Sequence, residues 1–185
     1  MQKFITLARR TVLDMGRFLK VESHTVQAPD GRVIQDWPWV ISPDYINVLL
    51  ETHTGQFLIF DQVKYGFPDG SLALIGGYIE PGESPLAAAQ REVYEETGYQ
   101  SDTWIDLGSY LADPNRGIAT GSLFLARWAV QVAEPHSDDL EEQKELFLSR
   151  VELEQSLDAG AFKLMAWSAG VAFALRALDR AAQES

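Results

Sequence analysis

An α/β fold built around a mixed sheet is what this sequence predicts, and three observations carry the prediction. Runs rich in β-forming residues stand on both sides of one well-delimited helix pattern, Pro85–Thr97. The chain closes on two more helix patterns, the second of them long. Glycine, proline and aspartate clusters punctuate the intervals, and no internal repeat is present. Mixed strands with interspersed helices suit an α/β/α sandwich.

Taken in order, residues 1–42 read as an N-terminal antiparallel β extension and residues 43–185 as the main domain. Arg17–Val26 and Arg32–Val40 are strand-like runs separated by Asp30-Gly31, a strong hairpin signal. Ile46–Glu51 and Gln56–Phe60 follow, with Thr52–Gly55 as the turn between them. The short apolar run Leu72–Ile75 leads into loop residues Gly76-Gly77 and Pro81-Gly82. Ser84 suits an N-cap, Pro85 the first helical position and Gly98 the stop. Leu86, Ala89 and Val93 recur at helical spacing and are expected to pack inward, on a face away from the acids of the same helix. Trp104–Leu111 and Ser122–Val132 are further strands. An acidic loop, Glu134–Glu145, precedes a short strand at Leu146–Ser149, a helix at Leu153–Asp158 ending at Gly160, and a helix spanning Phe162–Ala182.

Composition narrows the function classes. A chain of 185 residues, 46% of them hydrophobic, suffices for one core with an extension. The absence of cysteine excludes disulfides, thiolate metal sites and cysteine nucleophiles. The N-terminal stretch opening on Met1-Gln2-Lys3-Phe4 lacks the long apolar run of a signal peptide, and none is expected. The apolar segment Leu164–Leu178 is broken by Ser168, Gly170 and Arg176, and falls short of the ~20 residues that span a bilayer. A soluble, cytoplasmic protein with no membrane partner is expected. A formal charge of −12 argues against nucleic-acid binding. It does not exclude a phosphorylated ligand that arrives with cations, because bound cations reverse the local field of an acidic site.

The informative segment is Gly77–Tyr99. On a helix turning about 100° per residue, Glu92, Glu95 and Glu96 fall within one arc. Like charges so placed repel unless a cation sits against them. Oxygen clusters of this kind suit Mg²⁺, which takes a few carboxylates, waters and a substrate phosphate. Glu83 stands just ahead of the helix and Arg91 beside the acids. Gly77, five residues, Glu83, seven residues, then Arg91-Glu92-Val93-Tyr94-Glu95-Glu96-Thr97-Gly98-Tyr99 resembles the Nudix box, with Tyr99 where an aliphatic residue is usual. The resemblance implies the Nudix-type α/β/α sandwich.

The flanks resemble the branch of that superfamily that hydrolyses ADP-ribose and nucleoside diphosphate sugars. Pro29-Asp30-Gly31-Arg32 is similar to its N-terminal β-unit, Gly76–Glu83 to its box entry, and Pro114 stands about where that branch keeps a proline. Asp61-Gln62-Val63-Lys64 replaces its basic stretch, and Asp113-Pro114-Asn115-Arg116 lacks its serine-proline-glycine pattern. The resemblance implies a Mg²⁺-dependent diphosphatase, with Mn²⁺ as an alternative. Glu92, Glu96 and the Gly76 carbonyl are then metal ligands, and Glu95 shares a second ion. Glu83 holds a metal-bound water or pairs with Arg91, and Arg91 serves as an orienting ion pair in preference to a direct phosphate contact. The base comes from the acidic loop, Glu142 first and Glu145 second, unless a box glutamate serves. Trp37 and Trp39 are candidates for stacking on a nucleobase, and Lys64, Pro114 and Arg116 for further substrate contacts. His24, His53 and His136 show no ligand spacing and receive no role. The resemblance further implies a homodimer formed through the N-terminal hairpin. Two alternatives stand beside this reading: a Nudix hydrolase of another nucleotide, such as a dinucleoside polyphosphate, coenzyme or damaged triphosphate, and a non-catalytic ADP-ribose sensor. The complete set of acids and the lack of a basic helix-turn-helix pattern speak against the sensor.

Overall fold

Three strands lead the chain in the computed structural model, which describes residues 2–136 and 143–183. They are β1 (Ile5–Asp14), β2 (Lys20–Gln27) and β3 (Val33–Ile41), forming an antiparallel sheet in that order. The turn at Asp30-Gly31 closes β2 onto β3 as expected. Ala28 N donates to Arg32 O at 2.8 Å, and Gly31 N donates to Ala28 O at 2.9 Å. The sequence did not announce β1: all ten of its residues are exposed, so there is no in–out alternation to read.

The remaining elements are β4 (Tyr45–Thr52), β5 (Phe57–Lys64), β6 (Phe67–Ala73), β7 (Ile75–Tyr78), α1 (Pro85–Thr97), β8 (Tyr99–Gln100), β9 (Thr103–Asp113), β10 (Ile118–Gln131), β11 (Gln143–Leu148), α2 (Arg150–Asp158) and α3 (Met165–Gln183). They build an eight-stranded mixed sheet along the path β11-β5-β4-β10-β8, with β6 on β5, β7 on β4 and β9 on β10. The chain divides into two units. Met1–Asp44 and Tyr110–Gly121 form the first; Tyr45–Ser109 and Ser122–Ser185 form the second. The turn joining β9 to β10 thus belongs with the N-terminal strands.

In the second unit, Ile46 to Leu50 of β4 are buried without a break. Side chains alternate across a strand, so an uninterrupted buried run requires cover on both faces. Helices α1 and α3 both pack on β4 and provide it. The core gathers Ile46, Val48, Leu58, Ile59, Ile75 and Leu125 from the strands, with Ala89 and Val93 of α1 and Val171 of α3.

Helix α1 has the expected bounds. Ser84 Oγ accepts from Ala87 N, Pro85 opens the first turn, and Gly98 closes the helix in the left-handed region at φ 69°. Its packing face differs from expectation. Ala88, Ala89 and Val93 are buried, whereas Leu86 is 40% exposed, so the helix meets the sheet only from Ala88 onward. The acids do not occupy a separate face either: Glu96 is buried among the packing residues at 8% exposure. Strand β11 begins earlier than expected, which moves Glu145 from the acidic loop onto the strand, opposite Phe60 of β5. Helix α2 also starts earlier, because Ser149 and Glu152 form a reciprocal capping box. Among the described residues, no helix is long and apolar enough to cross a membrane.

Candidate functional site

Arg91 is the hub of the second unit's polar cluster. Its Nε and Nη2 grip the two carboxylate oxygens of Glu83 at 3.1 and 3.0 Å. Nη1 reaches Glu92 Oε1 at 2.8 Å and Glu95 Oε2 at 3.1 Å, and Nη2 also donates to the Tyr78 carbonyl at 3.1 Å. One guanidinium therefore ties the loop acid, two helical acids and the end of β7 together. Such a fork is what a planar, five-donor group can do and a lysine cannot. Glu80 N donates to Glu83 Oε2 at 3.1 Å and fixes the loop. The Arg91 guanidinium holds the Glu83 carboxyl below its usual range, against the opposing effect of burial.

Strand β7 comes close to this cluster. A Cβ on Gly77 would stand 1.9 Å from Glu92 Oε1, so glycine is required if the carboxylate is to rest on the strand backbone. Gly76 pairs with Asn47 of β4. The Asn47 side chain is 3% exposed, and its Nδ2 is the one buried side-chain polar atom without a hydrogen-bond partner among the described residues. Glu95, at 48% side-chain exposure, faces solvent more than Glu92 or Glu83. Among the described residues no three acidic or histidine side chains form a ready-made metal cage. The donors gathered here are nevertheless all oxygen, and one carboxylate lies flush on the β7 backbone beside Gly76. That chemistry fits a hard divalent cation.

Of the two candidate bases, Glu142 lies outside the described residues. Burial, followed by the charge of Glu134, pushes the Glu145 carboxyl up. Lys64 ends β5, paired with Phe67 of β6.

The first unit holds a separate constellation. Trp37 and Trp39 lie on β3 across from His24 and Glu22 of β2, and directly paired residues share a face. Trp37 Nε1 donates to the Asn115 carbonyl at 2.6 Å. Trp39 stacks on His24 with centroids 5.3 Å apart and planes 19° from parallel. The Asp113–Gly117 turn closes over them: Val40 N donates to Arg116 O at 2.8 Å. A Cβ on Gly117 would come within 2.1 Å of the Trp39 ring, at a backbone φ of +67° that side chains seldom adopt. Trp37, Trp39 and Pro114 thus line one cleft of about 270 Å³, with Phe4, Thr6, His24, Val26 and Asn115. Arg116 is tied to Asp113 at 2.7 Å. Its guanidinium holds the Asp113 carboxyl below its usual range. Sequence reasoning missed His24, Glu22 and Asn115. The alternation Glu22, His24, Val26 along a strand was the available signal for the first two.

A model of the NUDIX domain matches residues 42–168. The chain belongs to the Nudix domain family. Among curated relatives, it is 26% identical over 112 residues to a methanol dehydrogenase activator of Bacillus methanolicus, covering 60% of this chain and 60% of that protein. It is 24% identical over 152 residues to an ADP-ribose pyrophosphatase of Bacillus subtilis (strain 168), covering 82% of this chain and 80% of that one. Among solved structures, one described as an ADP compounds hydrolase superposes with a TM-score of 0.82 at 19% identity, over 97% of this chain and 96% of the other. This likeness shows the Nudix fold, and with it the α/β/α sandwich expected from the sequence.

Proposed function

We propose that this chain hydrolyses the diphosphate of ADP-ribose or a related nucleoside diphosphate sugar, giving a nucleoside monophosphate and a sugar phosphate. The observation that carries the reading is the Arg91 hub, which gathers Glu83, Glu92 and Glu95 at the end of β7. The similarity to an ADP-ribose pyrophosphatase supports the choice of substrate class.

Glu92, Glu95, Glu96 and the Gly76 carbonyl are the residues that would hold Mg²⁺, or Mn²⁺ in its place, and the ion supplies positive charge to the diphosphate oxygens. Arg91 and Glu83 orient the helical acids and keep them in register with β7. Glu142, or after it Glu145, whose carboxyl burial pushes up, would take a proton from the attacking water. A box glutamate is the alternative base. Water oxygen replaces the bridging oxygen at one phosphorus, and the second phosphate leaves with that bridging oxygen. In the first unit, Trp37, Trp39 and Pro114 form the nucleobase cleft. Lys64 and Arg116 are the candidate cations for the diphosphate or terminal ribose. A homodimer in the cytoplasm completes the reading, with the exposed Ile5, Leu7, Val12 and Leu13 of β1 as the apolar surface available for pairing.

A hydrolysis panel tests the proposal. ADP-ribose, other nucleotide sugars, dinucleoside polyphosphates and nucleoside triphosphates are incubated with the chain and Mg²⁺, with and without chelator. Chelator-sensitive release of AMP and ribose phosphate is the expected result. Intact ADP-ribose alongside cleavage of another compound would transfer the assignment to that substrate.

A further inference from the structure

His24 has a chemical character that the packing of its ring does not require. The side chain is buried to 4% exposure yet lines the cleft. Its Nε2 lies 2.9 Å from Glu22 Oε2. Glu22 is also approached by Lys20 Nζ at 3.7 Å, and its carboxyl is held below the usual range, first by the bond to His24. An ionised carboxylate only accepts hydrogen bonds, so Nε2 must carry the proton. With Nε2 engaged as the donor to Glu22, Nδ1 is the nitrogen through which the neutral form of the ring can accept a ligand N–H. Among the described residues, Glu22 is the side-chain hydrogen-bond partner of His24, and Nδ1 is not a sealed, unpartnered polar atom.

We propose that His24 is a specificity-determining residue of this cleft: it selects a nucleobase bearing an exocyclic amine over its oxo counterpart by offering Nδ1 as acceptor. The inference rests on the cleft being the nucleobase site. The walls suit that ligand, since two indoles and Pro114 offer flat apolar surface. The volume of about 270 Å³ lies just below the ~300 Å³ at which pockets for drug-sized ligands begin, so a single ring system fills it. An amine donates to Nδ1. A carbonyl oxygen in the same place sets lone pair against lone pair, and sites built around a hydrogen bond reject analogues that cannot complete it. The selectivity lies in Glu22, which fixes the tautomer, as much as in the ring that uses it.

The test is a tryptophan-fluorescence titration of the full chain with AMP and with IMP, which differ at the 6-position, without metal or turnover. The unmodified chain is expected to bind AMP about tenfold more tightly than IMP. Trp37→Ala should weaken both. Glu22→Gln leaves the imidazole in place but removes the ionised acceptor, and should bring the two affinities together. Imidazole ¹⁵N shifts should show the Nε2-protonated form in the unmodified chain and a mixture in Glu22→Gln. His24→Phe, if it folds, should likewise erase the preference. If neither nucleotide binds, the nucleobase reading of the cleft fails. If AMP binds and Trp37→Ala weakens it, but the AMP-to-IMP ratio in the unmodified chain is near one or survives Glu22→Gln, the role of His24 is overturned while the cleft stands.

Discussion

The Arg91 cluster and the tryptophan cleft are built on opposite principles. The cluster draws its residues from one short stretch, Gly76–Glu96, and is held by charge-assisted hydrogen bonds radiating from a single guanidinium. The cleft draws on residues from Phe4 to Asn115 and is held by ring stacking, one indole N–H bond and a glycine with no room for a side chain. A local polar cluster can be damaged one atom at a time without loosening the fold. A cleft assembled from distant segments ties binding to packing, so changes there should register in stability and affinity together.

The largest expected effect separates the two most sharply. Glu92→Gln should lower kcat by a factor on the order of 10²–10³ with little change in Tm, since it keeps the shape and removes a charge. A comparable fall in Tm would show that the cluster is structural. Next comes Arg91→Lys, which keeps the charge but loses the fork on Glu83; about 10–100-fold in kcat is expected. Unchanged turnover would remove the hub from the mechanism. On the other side, Gly117→Ala should cost about 1–3 kcal/mol by chemical denaturation, from the left-handed backbone and the collision with Trp39, and should raise KM more than it lowers kcat. The smallest effect concerns Glu145. Its folded carboxyl is raised, so its favourable contribution exists below the unfolded value and is lost as pH rises through the folded one. Glu145→Gln should therefore stabilise the fold slightly at pH 7, read as a small rise in Tm, while depressing kcat. The stability difference should vanish in acid, and a Tm gain persisting at low pH would refute this account.

How much could be read beforehand follows from the same contrast. Helix α1 was legible because its signals are local: Ser84, Pro85 and Gly98 each act on the backbone beside them. The box acids and Arg91 were legible for the same reason. What escaped depends on tertiary placement. Leu86 obeys the helical spacing yet lies ahead of the point where α1 meets the sheet. Glu96 is polar and yet buried, on a helix whose other buried residues are Ala88, Ala89, Val93 and Thr97. Strand β1 has no buried residue to set a period, and its existence rests on pairing with β2. His24 and Asn115 acquire meaning only when the Asp113–Gly117 turn folds over β3, a juxtaposition of segments far apart in sequence.

The hub described above leaves three carboxylates, Glu83, Glu92 and Glu95, facing one guanidinium. Such an imbalance makes α1 an electrically loaded spring whose ground state is relaxed by any nearby positive charge. The nucleotide-free protein should consequently melt at a temperature that climbs with ionic strength, as dissolved ions mute the repulsion that the helix carries by itself.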